Sequence, residues 1–322
     1  MVCRRYRANL KGTIIPVLTT LLRTLAFPLA LCPVFVSSAH AQFQLDGDLS
    51  VRYDDTSSSD ERGQYRLRAY PSIDFPGNAS LHAFIATGDE FDSSWNTIDD
   101  NDDEIHVRRL YMRLEDERGK IELGTIPTYK GRVSSTGLSD NGWLKGARGV
   151  LQLQSGRLEL VLGELEDIRA QSALSPPEEL NYIELEYSAD LTDNWSYELS
   201  FDHMLDDDFL RAEIRYRSTD DVFYSVEAIH NASTSAAKVI ASMERTFNLG
   251  DRPIEWFVYY AYAEPRFGQR AELTEDFLDF GHALANEFSG AIADYDRLSW
   301  FVKAEVYEDR VRGQLGVEFD FR

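Results

Sequence analysis

The chain holds only two cysteines, Cys3 and Cys32, and both fall within its first 41 residues. Beyond that point no disulfide, thiolate metal site or thiol nucleophile is available. Long apolar runs are missing too: no stretch after residue 41 approaches the roughly 20 consecutive apolar residues of a membrane-spanning helix. Histidine is sparse, six in 322 residues, and His82, His106, His230 and His282 are scattered without metal-ligand spacing. Basic charge is in deficit, 33 Lys and Arg against 55 Asp and Glu. That argues against a nucleic-acid partner, since phosphate backbones attract basic surfaces.

Residues 1–41 have the three parts of an export signal. Arg4, Arg5, Arg7 and Lys11 form a basic end, an apolar stretch runs from Thr24 to Val36, and Ala39-His40-Ala41 offers a small-x-small cleavage pattern before Gln42. Cys32 does not read as a lipid-anchor site, because Leu31 stands where a small residue is needed. The leader holds five of the basic residues and none of the acidic ones, so the mature chain has 28 basic residues and a net charge of −27.

What is present from Gln42 onward is alternation. Phe43, Leu45, Gly47, Leu49, Val51 and Tyr53 share one parity; Gln44, Asp46, Asp48, Ser50 and Arg52 share the other. Successive strand side chains point to opposite faces, so such a segment has one oily and one wet face. Comparable rows recur at Tyr65 to Asp74, Leu158 to Leu162, Ile183 to Tyr187, Trp195 to Phe201, Leu210 to Arg217, Leu298 to Val306 and Val311 to Phe321. Segments of about ten residues with this pattern are the signature of transmembrane strands, which also average to a mildly polar chain.

The connections alternate in length. Short ones are expected near Pro76 to Asn78, Asp116 to Gly119, Ser155 to Arg157, Ala189 to Asn194 and Ser218 to Asp221. Long ones are expected at Asp54 to Gly63, Gly88 to Glu104, Pro127 to Trp143 and Leu165 to Asn181, as an up-and-down meander with short turns on one side demands. Aromatic residues near segment ends, Tyr53, Tyr65, Trp195, Tyr197, Trp256, Tyr262 and Tyr307, fit interfacial girdles, although strand propensity favours aromatics as well. The expected fold is an all-β, transmembrane antiparallel up-and-down β-barrel of 16 strands over residues 42–322. Residues Thr274 to Ser289 leave 14 open, because Leu273, Phe277, Phe280, Leu284 and Phe288 are also spaced like a helix face, with Thr274 as its N-cap.

The stretch Val107 to Pro127, VRRLYMRLEDERGKIELGTIP, resembles the Gram-negative outer-membrane general porin family: Arg-Arg before an aromatic residue, a charged turn with Gly119, and a strand ending Ile-x-Leu-Gly at Gly124. Leu45-x-Gly47-x-Leu49 and the Phe-rich closing strand are similar too. The resemblance implies a water-filled channel in the outer membrane, passive diffusion of small hydrophilic solutes and ions, contact with lipid and lipopolysaccharide, and a homotrimer. It also implies that the loop after the fifth strand, Pro127 to Trp143 with Lys130, Arg132 and Asp140, narrows the pore opposite a wall of arginines.

The residues themselves supply that wall. Arg66 and Arg68 alternate with oily neighbours, and so do Arg109 and Arg113 around Tyr111. Facing lipid at the midplane, each arginine would cost roughly 2–4 kcal/mol, so they are expected to face the lumen. There they either set ion preference or satisfy inward acids such as Glu122, Asp46 and Asp48. The acidic run Asp89 to Glu104 reads as a solvated loop; it lacks the spacing of a calcium loop that could bridge to lipopolysaccharide. An enzyme is not expected: Asp202 and His203, beside Asp206 to Asp208, are adjacent and so point to opposite faces. No cofactor is implied. Two other readings are left open: a plugged barrel serving as a binding or structural protein of the envelope, and a soluble periplasmic β-sandwich, whose strands would also alternate.

Overall fold

The computed structural model describes residues 41–57, 59–88, 95–98, 105–127, 144–165, 173, 175–204, 206–218, 222–268, 280–292, 295–308 and 310–322. Residues 1–40 of the expected leader lie outside them. The strands are β1 (Gln42–Thr56), β2 (Ser59–Phe75), β3 (Ala79–Thr87), the two-residue β4 (Asn96–Thr97), β5 (Ile105–Asp116), β6 (Gly119–Ile126), β7 (Leu144–Leu153), β8 (Gly156–Glu164) and β9 (Tyr182–Asp190). They continue with β10 (Trp195–Met204), β11 (Asp207–Arg217), β12 (Val222–Asn231), β13 (Ala236–Leu249), β14 (Arg252–Ala263), β15 (Gly281–Ile292), β16 (Tyr295–Tyr307) and β17 (Arg310–Phe321). Each long strand pairs antiparallel with its neighbour in sequence, and β17 pairs back onto β1, so the sheet closes into a 16-stranded barrel.

Closure removes every sheet edge, which is the condition for a sheet to stand in hydrocarbon. The alternation sorts side chains as the sequence predicts. On β1, Leu49, Val51 and Tyr53 are exposed on the outside while Asp48, Ser50, Arg52 and Asp54 are buried inside. The seam of the closure is packed as well as bonded. The Phe321 ring lies over Gly47 so closely that a Cβ at residue 47 would collide with it and with the Arg68 carbonyl.

The turns of one end are short, and Pro76-Gly77-Asn78 illustrates why: φ is +89° at Gly77 and +69° at Asn78, the left-handed region these residue types tolerate. Four long connections occupy the other end, between β3 and β5, β6 and β7, β8 and β9, and β14 and β15. The long link expected at Asp54 to Gly63 is instead a tight hairpin. Asp54 pairs with Arg62 and Thr56 with Ser59, and an Arg62–Asp54 ion pair at 3.0 Å ties the strands together, so polar composition here marks an extended ribbon rather than a loop.

The strand-or-helix segment resolves from Gly281 on as β15; residues 274–279 lie outside the described residues. Phe280, Leu284 and Phe288 recur every four residues, a spacing that strand and helix share, so it could not discriminate. The intervening Ala283 and Ala285 decide it by facing inward, buried. Tyr307 also departs from its expected place in a girdle. It faces inward at 5 % exposure and its hydroxyl bonds the Phe280 carbonyl, because the outward parity of β16 belongs to Val302 and Val306.

Candidate functional site: the charged inner wall

The inner face of β1, β2, β3 and β5 gathers the arginines singled out in the sequence. Arg68 donates through Nε to Asp48 at 2.8 Å, and Arg66 reaches Asp48 at 3.4 Å and Glu318 at 2.7 Å. Arg113 donates to Glu122 (Nε–Oε1 2.9 Å) and to the Tyr111 hydroxyl at 3.3 Å. Glu122 has no exposed side-chain surface and is shared by Arg113, Lys120 at 3.2 Å and Arg148 at 3.0 Å. Arg109 is 8 % exposed, with its guanidinium 4.6 Å from the Phe84 ring centre. Six of the nine expected site residues, Arg66, Arg68, Arg109, Tyr111, Arg113 and Glu122, therefore share one wall. Lys130, Arg132 and Asp140 lie outside the described residues.

Other members of the wall escaped sequence reasoning. Arg108 and Arg109 are adjacent, yet both are buried. The pairing explains it: Phe84 lies opposite Arg109 and Ile85 opposite Val107, so Arg108 is the extra residue of a β-bulge. It donates to the carbonyls of Thr87 (3.3 Å) and Gly88 (2.7 Å). Trp95 enters from the long β3–β5 connection, where β4 pairs with Gln64 and Tyr65 of β2. Arg52 and Arg66 both lie over its ring, at 4.1 and 4.6 Å. Arg312 bonds Asp54 at 2.8 Å across the closing seam.

Next to this wall runs a row without side chains. Tyr111 lies opposite Gly124, Gly124 opposite Gly146, Gly146 opposite Gly163, and Gly163 opposite Tyr182. Beside it Arg148 donates to the carbonyl of Pro127 at 2.7 Å, fixing the start of the β6–β7 connection against an inward-facing guanidinium.

The buried charges separate by strand. On β1 to β7 they include Arg52, Arg108, Arg109 and Arg148 with Asp48, Asp54 and Glu122. On β8 to β12 they are Glu159, Glu164, Glu184, Glu186, Glu198, Asp202, Glu213 and Glu227, with Arg211 as the buried cation. Arg211 has no exposed side-chain surface and bonds Glu198, Glu213 and Glu227 together. Strand order alone puts β11 eight strands from β2, across the barrel. A basic half-wall thus faces an acidic one, which sets a field across the interior of the barrel. Asp202 belongs to the acidic wall, whereas His203 lies on the other face and pairs with Asp208 at 2.8 Å, so the two do not form one catalytic unit.

At the loop end the inner surface turns apolar: Ile126, Leu144, Tyr182, Met204, Phe209 and Phe267 are among a buried cluster there. At the short-turn end, a recess of about 650 Å³ is bordered by Asp190 to Ser196, Arg215, Arg217 and Phe223.

A closed barrel with an oily exterior and a charged interior defines the porin-like class of fold. Among solved structures, variants of the Rhodopseudomonas blastica porin share it. One doubly substituted variant superposes with a TM-score of 0.60 at 12% identity, covering 87% of this chain and 100% of that one. A triply substituted variant gives 0.59 at 11% identity over the same shares. No family profile matches the chain, and no curated protein matches it by sequence.

Proposed function

We propose that this protein is an outer-membrane porin through which small hydrophilic solutes and ions diffuse passively. The observation that carries the reading is the radial sorting of a closed sheet: exposed Leu, Val and Phe outside, buried Arg, Glu and Asp inside. Side chains alone fill a barrel of about eight strands, whereas 16 strands enclose room for water, which a charged lining suits. On this reading residues 1–41 are a cleaved signal, and the exterior meets lipid, with lipopolysaccharide at the loop end. Trimers like those of general porins bring several pores together. Arg66, Arg68, Arg109, Arg113 and Glu122 set ion preference, while Lys130, Arg132 and Asp140 narrow the passage from the 127–143 connection. The bond from inward-facing Arg148 to Pro127, the first residue of that connection, is the contact that supports this part of the reading.

The test is reconstitution of the mature protein into planar bilayers. Discrete conductance steps are expected, and in a salt gradient Arg109→Ala and Arg113→Ala are each expected to move the reversal potential toward cations. An unmoved potential would remove these residues from the selectivity wall. The apolar collar at the loop end favours a second reading, a plugged barrel that binds rather than conducts. Persistent electrical silence from folded protein would select it.

A further inference from the structure

The arginines of the basic wall are interleaved with aromatic rings, in three layers. Trp95 lies beneath Arg52 and Arg66. Tyr70 stacks on Phe84 with ring centres 5.0 Å apart and planes 9° from parallel, with Arg109 over Phe84. His82 stacks on Tyr111 at 5.1 Å and 15°, with Arg113 5.7 Å from the Tyr111 ring centre. The layers are neighbours on one inner face, because His82 lies opposite Tyr111, Phe84 opposite Arg109 and Ser80 opposite Arg113. Charge filtering alone would need the guanidinium groups and not the rings.

Resting on the porin reading, we infer that this wall is a track for planar aromatic carboxylates, which it prefers over aliphatic anions of equal charge and size. Arg66, Arg68 and Arg113 already give part of their N–H edge to Glu318, Asp48 and Glu122, and a solute carboxylate accepts from the N–H groups beyond these. The solute's own ring then lies against Tyr70 or His82, the latter backed by Tyr111, as aromatic pairs and cation–π contacts favour. The groups that must meet it reach the lumen: the side chains of Arg66, Arg68 and Arg113 are 14, 16 and 25 % exposed, and Tyr70 and His82 are half-buried. The acidic wall of β8 to β12 repels anions and confines them to this side.

Bi-ionic reversal potentials across bilayers holding the mature protein test the inference, with benzoate against cyclohexanecarboxylate as the saturated, non-aromatic match. Stacking of this kind predicts a permeability ratio of roughly three to ten in favour of benzoate. Tyr70→Leu, His82→Leu and Tyr111→Leu combined should bring the ratio to near one, whatever the absolute conductance; the single His82→Leu variant gives a partial fall should the triple fail to fold. Arg68→Gln with Arg113→Gln should depress both anions alike. A wild-type ratio near one, or a ratio the leucine variants leave intact, overturns the aromatic track while the pore stands. Silence of the wild-type protein overturns both.

Discussion

Replacing Arg211 by methionine isolates the energetics of the acidic wall. The guanidinium is the hub of three buried glutamates, and its removal does not treat them equally. Glu213 and Glu198 keep a second cation, since Arg215 lies 2.7 Å from the first and 3.3 Å from the other. Glu227, 2 % exposed, pairs with Arg211 and keeps the charge of buried Lys238 nearby, so it bears most of the loss without being left wholly uncompensated. Breaking a buried pair by deleting one side costs about 3–5 kcal/mol because the survivor is a desolvated charge. Water in a lumen relieves some of that, which sets the expectation at about 3 kcal/mol for Arg211→Met, measured by reversible urea unfolding in detergent micelles. Adding Glu227→Gln should recover about half, by removing the charge the methionine strands. Arg211→Lys should cost about 1–2 kcal/mol, since one ammonium cannot present the three-sided fork. If Arg211→Met were as stable as wild type within about 0.5 kcal/mol, or Glu227→Gln gave nothing back, the hub would not be holding the wall together.

Three further outcomes are expected. Glu122→Gln leaves Arg113, Lys120 and Arg148 without their shared carboxylate, so the reversal potential should shift toward anions and stability should fall by about 2 kcal/mol; unfolding and single-channel recordings read the two effects separately. Arg108→Met strips donors from the Thr87 and Gly88 carbonyls and should cost about 1–3 kcal/mol in unfolding experiments while leaving the other arginines in place. Gly47→Val forces Phe321 and the β1–β2 backbone apart at the closing seam, so the heat-modifiable band of the folded barrel on unheated gels should be lost or strongly reduced.

The barrel was legible because period-two patterning is a local property: a strand states in its own residues which face meets oil, and eight segments did so. The inward parity of Arg66, Arg68, Arg109 and Arg113 followed from the same rule. What the pattern could not carry was any departure from strict alternation or any contact between distant segments. Arg108 reads as outward by parity, and only the bulge opposite Phe84 and Ile85 turns it in. Trp95 sits inside an acidic stretch that reads as solvated loop, and the two-residue pairing of β4 with β2 brings its ring to Arg52 and Arg66. The hairpin at Asp54 to Arg62 misled for the converse reason, since a strand rich in charge looks like a loop until its ion pair is known.

On the porin reading, the net charge of −22 over the sequence is the clearest case of a bulk property that says little about the site. Counted over the chain it predicts a preference for cations, yet the charge is not shared evenly around the lumen. Buried acids crowd β8 to β12, whereas β1 to β7 hold four buried arginines and the partly exposed Arg66, Arg68 and Arg113. Because interactions beyond about 8–10 Å are screened at physiological salt, a permeating ion responds to the wall beside it and not to the total. Cations and anions can therefore follow different sides of one passage. Single substitutions on the basic side, such as Arg113→Ala, should therefore change anion passage far more than a change of one in a charge of −22 would suggest.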